Sequence, residues 1–545
     1  MFDSWSLRCR SCCAHFLGLL AFLFSAAAFL LPSHAAAQKE SYEEWRQKQR
    51  QEYGKFLTRQ DEAFLKFLKQ EWTRVEVDAA AVSPIDNKPR QIPRVNANDV
   101  PPETLGKEPS KPDLPRDDTR RKPSSSTDRS SQNENSAPTK DPLVEDGGSE
   151  SSPNPKVGSN LTENRSPAPE QREGPPESLE REASFSFFGT SATVPYRSAA
   201  APRLEGAPSK SSIRHFWKKM AKGPYRPTLG AIQKQREELG LSDWGYYLYL
   251  RRLSGQLYGD ESPNEQALWT WFALMKSGYA ARVGYRQGEV FLMLPVEEKI
   301  FSRPQMHIGG QRYYLMVEAG GGSLRTYEGQ HEGARRAFRL DEKTLPDLGS
   351  ESRTRAVEFS FQGQRRSLEI SYSPATAEYL RAYPDVELRV LMEAGVSPTA
   401  EASLKKALRP LLADLGPRAS ANLLLKFSQF ATGYKRDREH FGEERYLFPE
   451  ESLASDYSDC EDRAVLLAYL VRELLGREVI GLQWPNHVAL AVRAEGELSA
   501  TGSDQTVTNG GDTYIYADPT YLGSDIGMKM PLVEGQEPET ISVGK

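Results

Sequence analysis

The chain has few cysteines, and three of the four lie close to its N-terminus. In a chain of 545 residues these three are Cys9, Cys12 and Cys13, and the fourth is Cys460. If an N-terminal segment is removed on export, one thiol remains. A single thiol excludes an internal disulfide and a zinc site built on several cysteines. The role of Cys460 must then be sought in its own reactivity or packing.

Positive charge is not in excess, and phosphate-binding motifs are missing. The formal net charge is −5, so no large basic field is available to neutralise a nucleic-acid backbone. The glycines at 320–322 lack the following lysine and helix of a Walker loop. The histidines beyond the N-terminal region are far apart in sequence: His215, His307, His331, His440 and His487. We therefore predict no nucleic-acid partner, no cofactor and no bound metal.

Long hydrophobic runs are absent except for one near the N-terminus, Phe16–Leu31. This run is short for a bilayer span, which needs about 20 apolar residues. Arg8 and Arg10 precede it, and the small residues Ala35–Ala37 follow it. The pattern predicts a signal peptide over residues 1–37, with an uncleaved membrane anchor as the alternative. Cleavage would give an exported protein, periplasmic or secreted, with no integral membrane segment.

Two non-globular segments are expected next. Residues 38–79 carry aromatic residues at helical spacing among balanced charges, which predicts one amphipathic helix. This helix would pack on its own chain or on a second copy; the alternative is an arm that binds a partner or a membrane surface. Residues 80–182 are dominated by proline, serine and charged residues, which predicts a disordered linker.

The remaining sequence predicts an α+β fold in two regions. Residues 183–394 combine helical segments with short β-rich runs separated by glycine-containing turns. Residues 395–545 read as helices followed by strands, with a polar gap at 493–512.

A weak internal repeat relates the two regions. The segments 267–294 and 464–491 each read as a helix, a glycine and two strands. Aligning the two glycines places Ser262 on Cys460. It also places Glu289 on His487. The first region would then be a degenerate copy that lacks the reactive residues, with chance similarity as the alternative.

Cys460 lies where a helix is expected to begin. The apolar residues that follow it recur at helical spacing up to Gly476. Ser458 and Glu461 fit a capping box, which would place Cys460 in the first turn. The unpaired N–H groups and the dipole of a helix N-terminus favour a thiolate, whereas the neighbouring acidic residues oppose it. A histidinium close to the sulfur would offset that opposition.

His487 and Asp518 are the candidate partners of this thiol. His487 opens the strand-like run "HVALAV", and Asp518 closes "TYIYAD" before Pro519. If the two strands pair antiparallel with matching ends, His487 opposes Asp518 and Val492 opposes Thr513. Opposed side chains have Cβ atoms about 5 Å apart, close enough for a carboxylate to orient an imidazole. Taken alone, each residue also fits a purely structural role: Cys460 as a buried thiol, and His487 and Asp518 as residues at strand ends.

Together these segments resemble the transglutaminase-like (papain-like) superfamily. The resemblance covers about 395–530 and is carried by "SDCEDRAVLLAYLVRELLG", "NHVALAV" and "YIYADPT". It implies a papain-like domain in which Cys460 is the nucleophile, His487 the base and Asp518 the orienting residue. The longer stretch from Ala183 resembles exported bacterial members of the superfamily.

Further candidate site residues around this triad have a weaker sequence signal. The Cys460 N–H is a candidate oxyanion donor, and Gln429 on the preceding helix is a second. However, Asn422, Lys426 and Gln429 share a polar helix face that would ordinarily be solvated. Trp484 and Asn486 adjoin the histidine and are candidates for lining a cleft, or are structural.

The predicted function is cysteine-dependent acyl transfer on a peptide or isopeptide amide through a thioester at Cys460. Hydrolysis is favoured over amine transfer because nothing in the sequence indicates a lysine-binding acceptor site or calcium sites. The alternatives are a non-catalytic scaffold that keeps the fold, and a cross-linking transglutaminase. The expected partner is a protein or peptide substrate, and the helix at 38–79 could mediate self-association.

Overall fold

The computed structural model describes residues 47–48, 52, 55, 58–81, 88–89, 92–95, 180–301, 303–317 and 321–544. They belong to one compact unit of mixed helices and strands, an α+β architecture. The expected signal peptide at 1–37 and most of the expected linker at 80–182 lie outside the described residues. Within the described ranges, no helix combines the length and apolar character required to span a bilayer.

The N-terminal segment is only partly helical. Residues 58–67 form a helix, but β1 (Trp72–Val77) is a strand paired antiparallel with β8 (Gly322–Tyr327). The prediction of one helix over 38–79 is therefore wrong after Phe67, where the helix ends. The β-branched residues of "WTRVEV" favour an extended backbone, and an open sheet edge supplies its hydrogen bonds. Phe64 and Leu68 are buried in the main core, so this part of the helix packs on its own chain.

The middle region opens with the antiparallel hairpin of β2 (Glu180–Phe187) and β3 (Thr190–Arg197), as its sequence predicts. Four helices follow: α1 (Lys210–Lys222), α2 (Tyr225–Leu239), α3 (Asp243–Tyr258) and α4 (Pro263–Lys276). The next strands are β4 (Arg282–Arg286), β5 (Glu289–Pro295), β6 (Gln305–Ile308) and β7 (Gln311–Leu315). With β1 and β8 they form a six-stranded sheet in the order β1-β8-β4-β5-β7-β6.

A second hairpin, β9 (Arg353–Phe361) and β10 (Gln364–Tyr372), leads into a helical region. Its helices are α5 (Pro374–Arg381), α6 (Leu388–Glu393), α7 (Pro398–Leu412), α8 (Pro417–Phe430), α9 (Asp437–His440), α10 (Pro449–Ala454) and α11 (Cys460–Leu475). The short strands β11 (Gly433–Tyr434) and β12 (Tyr457–Ser458) pair in parallel. Because β9 packs on α8 and β10 on α7, this hairpin belongs with the C-terminal helices, although it lies within 183–394.

The C-terminal sheet contains β13 (Val479–Trp484), β14 (His487–Arg493), β15 (Thr506–Asn509), β16 (Asp512–Ala517) and β17 (Glu539–Ser542). Its strand order is β15-β16-β14-β13-β17, and all pairs are antiparallel. β15 and the turn that follows it form the end of the polar segment 493–512.

The two sheets share one topology over five strands. The order β6-β7-β5-β4-β8 in the middle region matches β15-β16-β14-β13-β17, again with antiparallel pairs, and each set follows a helix. Ser262 lies at the N-cap position of α4, and Glu289 begins β5. These positions correspond to Cys460 at the start of α11 and His487 at the start of β14. The alignment suggested by the sequence therefore agrees with the order of elements.

The topology brings the start of α11 and the start of β14 to the same end of the domain. α11 ends at Gly476, whose φ of 62° lets the chain reverse, and β13 begins three residues later. Because α11 packs on β13 and β14, β13 runs back along the helix and ends near its N-terminus. Cys460 and His487 are therefore at the same end of the helix–sheet layer.

Candidate active site

Cys460 is the first residue of α11 and is fully buried. This agrees with its predicted place in the first helical turn. The cap differs from the expected pair, because Asp459 is the N-cap and its N–H donates to Asp462 Oδ2 at 3.1 Å. Ser458 precedes the cap and accepts a hydrogen bond from Arg463 Nε at 3.3 Å. The capping box predicted for Ser458 and Glu461 is thus shifted by one residue.

The thiol of Cys460 is held by the residue that follows it. Its Sγ donates to Glu461 Oε2 at 2.9 Å. Burial raises the pKa of the Cys460 thiol well above its ordinary value, and the charges of Glu461 and Asp459 add to this, while Lys88 opposes it. In this conformation the thiol is neutral and hydrogen-bonded, so it is not poised as a thiolate.

The opposing cation is Lys88, which reaches the site from the N-terminal part of the chain. Its Nζ lies 2.6 Å from Asp459 Oδ2 and 3.2 Å from Asp437 Oδ2, and it also pairs with Glu461 and Glu444. We call these four carboxylate residues the acidic pocket. One oxygen from each lies within 4.8 Å of the others, a spacing that a cation can bridge. Here the bridging cation is the Lys88 ammonium.

His487 and Asp518 are in direct contact, as predicted. His487 Nε2 lies 2.8 Å from Asp518 Oδ2, and both side chains are buried. The other carboxylate oxygen, Oδ1, accepts hydrogen bonds from the Thr520 and Tyr521 N–H groups at 2.9 and 3.2 Å. The carboxylate is therefore fixed by its own turn and fixes one imidazole nitrogen. The second nitrogen, Nδ1, is buried without a hydrogen-bond partner.

The strand register that makes this contact differs from the predicted one. Val492 opposes Ile515 rather than Thr513, and Ala517 opposes Leu490. The displacement is two residues, so side chains keep their face of the sheet. Asp518 lies just beyond the paired residues of β16 and reaches His487 diagonally. A displacement of one residue would have separated the two side chains.

Cys460 and His487, which the structure both describes, do not form a hydrogen bond with each other. Along β14, Val488 and Leu490 pack in the cluster that contains Cys460, whereas Ala489 packs with Trp484 on the opposite face. Because side chains alternate along a strand, His487 lies on the same face of the sheet as Ala489. Its imidazole stacks on Trp484, with ring centroids 5.7 Å apart. The structure thus forms the histidine–aspartate pair, while the thiol is directed to Glu461.

Gln429 is buried and fully engaged. Its Nε2 donates to Tyr521 O at 3.0 Å and Ser524 O at 3.1 Å, and its Oε1 accepts from Gly523 N–H at 3.1 Å. Both donor directions are used, so Gln429 is not available as an oxyanion donor in this conformation. It holds the loop that follows Asp518.

The whole polar face of α8 has the same role. Asn422 Oδ1 accepts from Ile526 N–H at 2.7 Å, and Lys426 Nζ donates to Gly523 O at 2.6 Å. The interpretation of this face as solvated is wrong, because residues 521–526 cover it. Sequence periodicity cannot reveal this cover, since the loop itself has no regular pattern.

Trp484 and Asn486 lie at the hairpin that presents His487. Trp484 donates through Nε1 to Gln536 O at 3.3 Å and stacks on the imidazole. Asn486 lies in the turn between β13 and β14, and its Oδ1 is buried without a partner. Trp484 therefore restrains the imidazole, and Asn486 adds a polar group beside it.

Comparison of the chain with models of protein families, with curated proteins and with solved structures finds no match.

Proposed function

We propose that this protein is an exported cysteine-dependent acyl-transfer enzyme of the transglutaminase-like type, acting on peptide or isopeptide amides. The observation that supports this best is the buried His487–Asp518 pair, with Nδ1 left without a partner, at the same end of the layer as Cys460. Export rests on the N-terminal sequence. The assignment to a papain-like fold rests on the sequence resemblance and is compatible with the helix and antiparallel strands described above.

The reaction that these groups support has two steps. In the first, His487 takes the proton of Cys460, the sulfur bonds to the amide carbonyl carbon, and the C–N bond breaks as the imidazolium returns its proton to the leaving amine. In the second, water attacks the thioester, releases the acid and restores the thiol. Asp518 holds the imidazole throughout, and the Cys460 N–H at the helix start is a donor for the oxyanion.

The conformation described here requires two changes before this reaction. The Cys460 thiol must leave Glu461, and the His487 imidazole, which packs on Trp484 on the opposite face of β14, must turn towards the sulfur. Nδ1 would then accept the thiol proton and give a thiolate–imidazolium pair. Apo structures often show catalytic hydrogen bonds that form fully only with substrate bound. We assign water as the acceptor, because nothing in the sequence indicates a lysine-binding acceptor site or calcium sites.

A second candidate is a non-catalytic scaffold, and one observation favours it. The thiol is neutral, buried and bonded to a carboxylate, which are the features of an inert cysteine. A scaffold would use the fold and its surfaces only. A cross-linking transglutaminase is a variant of the first candidate in which an amine replaces water.

Covalent trapping separates these candidates. The purified chain is incubated with a panel of peptide thioesters and activated esters, and the mass of the Cys460 peptide is measured over time. An enzyme forms an acyl adduct at Cys460 that water discharges, and His487→Ala lowers the acylation rate by at least about 100-fold. Cys460→Ser is the control for adducts at other residues. If Cys460 is acylated at the same slow rate in the wild type and in His487→Ala, the protein is a scaffold.

A further inference from the structure

The part of α1 that does not pack on the core is strongly basic. The buried side of this helix is apolar and consists of Ile213, Phe216, Trp217 and Met220. The remaining surface has six basic residues and no acidic one: Lys210, Arg214, His215, Lys218, Lys219 and Lys222. We call these six residues the basic face. The same character continues along the chain, since residues 206–236 contain no aspartate or glutamate, although the net charge of the whole chain is −5.

The arrangement of these charges works against the stability of the helix. Four of them recur at intervals of four residues, so that each lies beside a like charge one turn away: Lys210, Arg214, Lys218 and Lys222. Like charges at this spacing destabilise a helix. Lys210 also occupies the first turn, where the helix dipole favours acidic side chains. The dipole accounts for the lysines of the last turn but not for Arg214 or Lys218, so helix stability does not explain the row.

The fold neutralises only one margin of the basic face. Glu205 pairs with Lys219, and its Oε2 lies 3.2 Å from His215 Nε2. Among the described residues, no carboxylate forms an ion pair with the row formed by Lys210, Arg214, Lys218 and Lys222. Lys218 and Lys222 are exposed, and Arg214 is half-buried. These cations are therefore available to a partner outside the chain.

The shape of the basic face indicates the kind of partner. A helix surface is convex and cannot enclose a small anion, and lysines are compact charges on flexible stems, which suit a diffuse negative field. The aromatic side chains of α1, Phe216 and Trp217, are buried, so they offer no platform for stacking nucleic-acid bases. An extended anionic surface, such as the headgroup layer of a bilayer that contains acidic lipids, matches these properties.

The N-terminal chain enters the fold beside α1. The helix at 58–67 packs against it through Phe64, whose ring centroid lies 4.3 Å from that of Trp217. Just after α1, the Tyr225 hydroxyl donates to Asp61 Oδ2 at 3.1 Å. The apolar run Phe16–Leu31 precedes this helix, and a run of that kind directs a chain to a membrane for export. Among extended anionic surfaces, this favours a lipid bilayer as the partner.

We propose that the basic face of α1 docks this protein on the surface of an anionic lipid bilayer. The attraction is between charges, and α1 stays outside the hydrocarbon region because its apolar side remains in the core. α1 packs chiefly on α4 in the middle region, so docking requires neither Cys460 nor His487 and does not rest on the proposed function. The middle region, in which Ser262 corresponds to Cys460, thereby has a role of its own.

Vesicle co-sedimentation tests the docking. The purified chain is mixed with vesicles of phosphatidylcholine alone, or with vesicles in which about 30% of the lipid is phosphatidylglycerol. The chain should bind the acidic vesicles and not the neutral ones. Because salt screens exposed charges, binding should weaken by at least about 10-fold between about 0.1 M and about 0.5 M NaCl.

Neutralising the row should remove the binding. The variant Arg214→Gln/Lys218→Gln/Lys222→Gln should bind acidic vesicles at least about 20-fold more weakly, because each cation near an anionic surface adds to the attraction. Its Tm should not fall, since the substitutions relieve repulsion between like charges in α1. The charge-preserving variant Arg214→Lys/Lys218→Arg/Lys222→Arg should bind like the wild type. Loss of binding in this second variant would show a structural role for the row and contradict the proposal.

A matched control separates the basic face from total charge. Lys405→Gln/Lys406→Gln/Arg409→Gln removes the same number of charges from α7 and should bind like the wild type. An equal loss of binding in this control would mean that net charge, rather than the face of α1, sets the attraction. Binding to duplex DNA without binding to acidic vesicles would assign the face to a nucleic acid instead. Either result overturns the proposal.

Lysine footprinting decides the case in which the apolar run Phe16–Leu31 is retained and itself holds the chain on every vesicle. Acidic vesicles should lower the acetylation rate of Lys218 and Lys222 by at least about 5-fold, whereas neutral vesicles should not. Lys406 on α7 should be labelled equally in both. Unchanged labelling of Lys218 and Lys222 on acidic vesicles would show that the basic face does not meet the bilayer.

Discussion

Asp518 uses one oxygen to hold His487, at 2.8 Å, and the other to hold its own turn, where the Thr520 N–H donates at 2.9 Å. The carboxylate therefore cannot rotate without losing both contacts. We expect Asp518→Asn to lower the rate of Cys460 acylation by about 10³- to 10⁴-fold, because the amide no longer stabilises an imidazolium. The rate is measured by mass spectrometry, and circular dichroism checks that the variant is folded. Asp414→Asn, which changes an exposed carboxylate after α7, is the control and should acylate normally.

Glu461 controls the ionisation of the Cys460 thiol. The thiol pKa is raised by burial and then by the charge of Glu461, so Glu461→Gln should lower it. The thiolate forms only as pH rises through this pKa, so the pH profile of iodoacetamide alkylation should move to lower pH in the variant. Glu473→Gln changes an exposed carboxylate on the same helix and should leave the profile in place. An unchanged profile in Glu461→Gln would mean that the charge of Glu461 does not raise the thiol pKa.

Glu342 is a buried carboxyl group in the middle region that should make stability depend on pH. The hydroxyl of Tyr379 donates to its Oε1 at 2.8 Å, and burial raises its pKa from 4.5 to about 7. The folded state therefore retains a proton that the unfolded state loses. Stability is greatest below pH 4.5 for this group and falls as pH rises to about 7, by about 3 kcal/mol in total.

Urea unfolding at several pH values checks this dependence. Glu342→Gln removes the titration, so the difference in unfolding free energy between the wild type and this variant should change between pH 4.5 and 7.5. Glu378→Gln, which alters an exposed carboxylate on α5, should track the wild type. Parallel curves for the wild type and Glu342→Gln would rule out a proton on Glu342 in the folded state.

Gln429 should matter through the loop it holds rather than through substrate. Gln429→Leu keeps the size but leaves the Gly523 N–H without its acceptor and removes one of the two donors to Ser524 O, which should cost about 1–3 kcal/mol in unfolding free energy. The acylation rate should also fall, because Asp518 loses support, and raising substrate concentration should not restore it. Gln233→Leu on the exposed face of α2 is the control. A fall in rate with stability unchanged would instead favour a direct contact of Gln429 with substrate.

The local features of the site could be predicted from the sequence. The helix beginning at Cys460 follows from apolar spacing and a terminal glycine, and the contact of His487 with Asp518 follows from where two strands begin and end. The register was wrong by two residues because strand limits do not fix pairing when a long connection separates the strands. The contact survived because an even displacement preserves the face of each side chain.

The long-range features could not be predicted. Lys88 lies in a segment whose composition is that of a linker, and it meets Asp437 and Asp459 far along the chain. No periodicity or motif links these positions, because a buried ion pair depends on the completed fold. The strand at Trp72 was missed for a similar reason: its aromatic spacing continues the helical pattern, and only the edge of β8 provides it with a partner.

The position of residues 88–89 and 92–95 has a consequence for how the chain responds to proteolytic cleavage. Val95 is bound to Leu522, and β2 begins at Glu180, so the stretch 96–179 joins two points that are each fixed to the same body. A single nick within that stretch would separate the polypeptide into two pieces without removing Lys88 from Asp459. The N-terminal piece would remain bound through β1 and the lysine, as a small subunit that dissociates only when the protein is denatured.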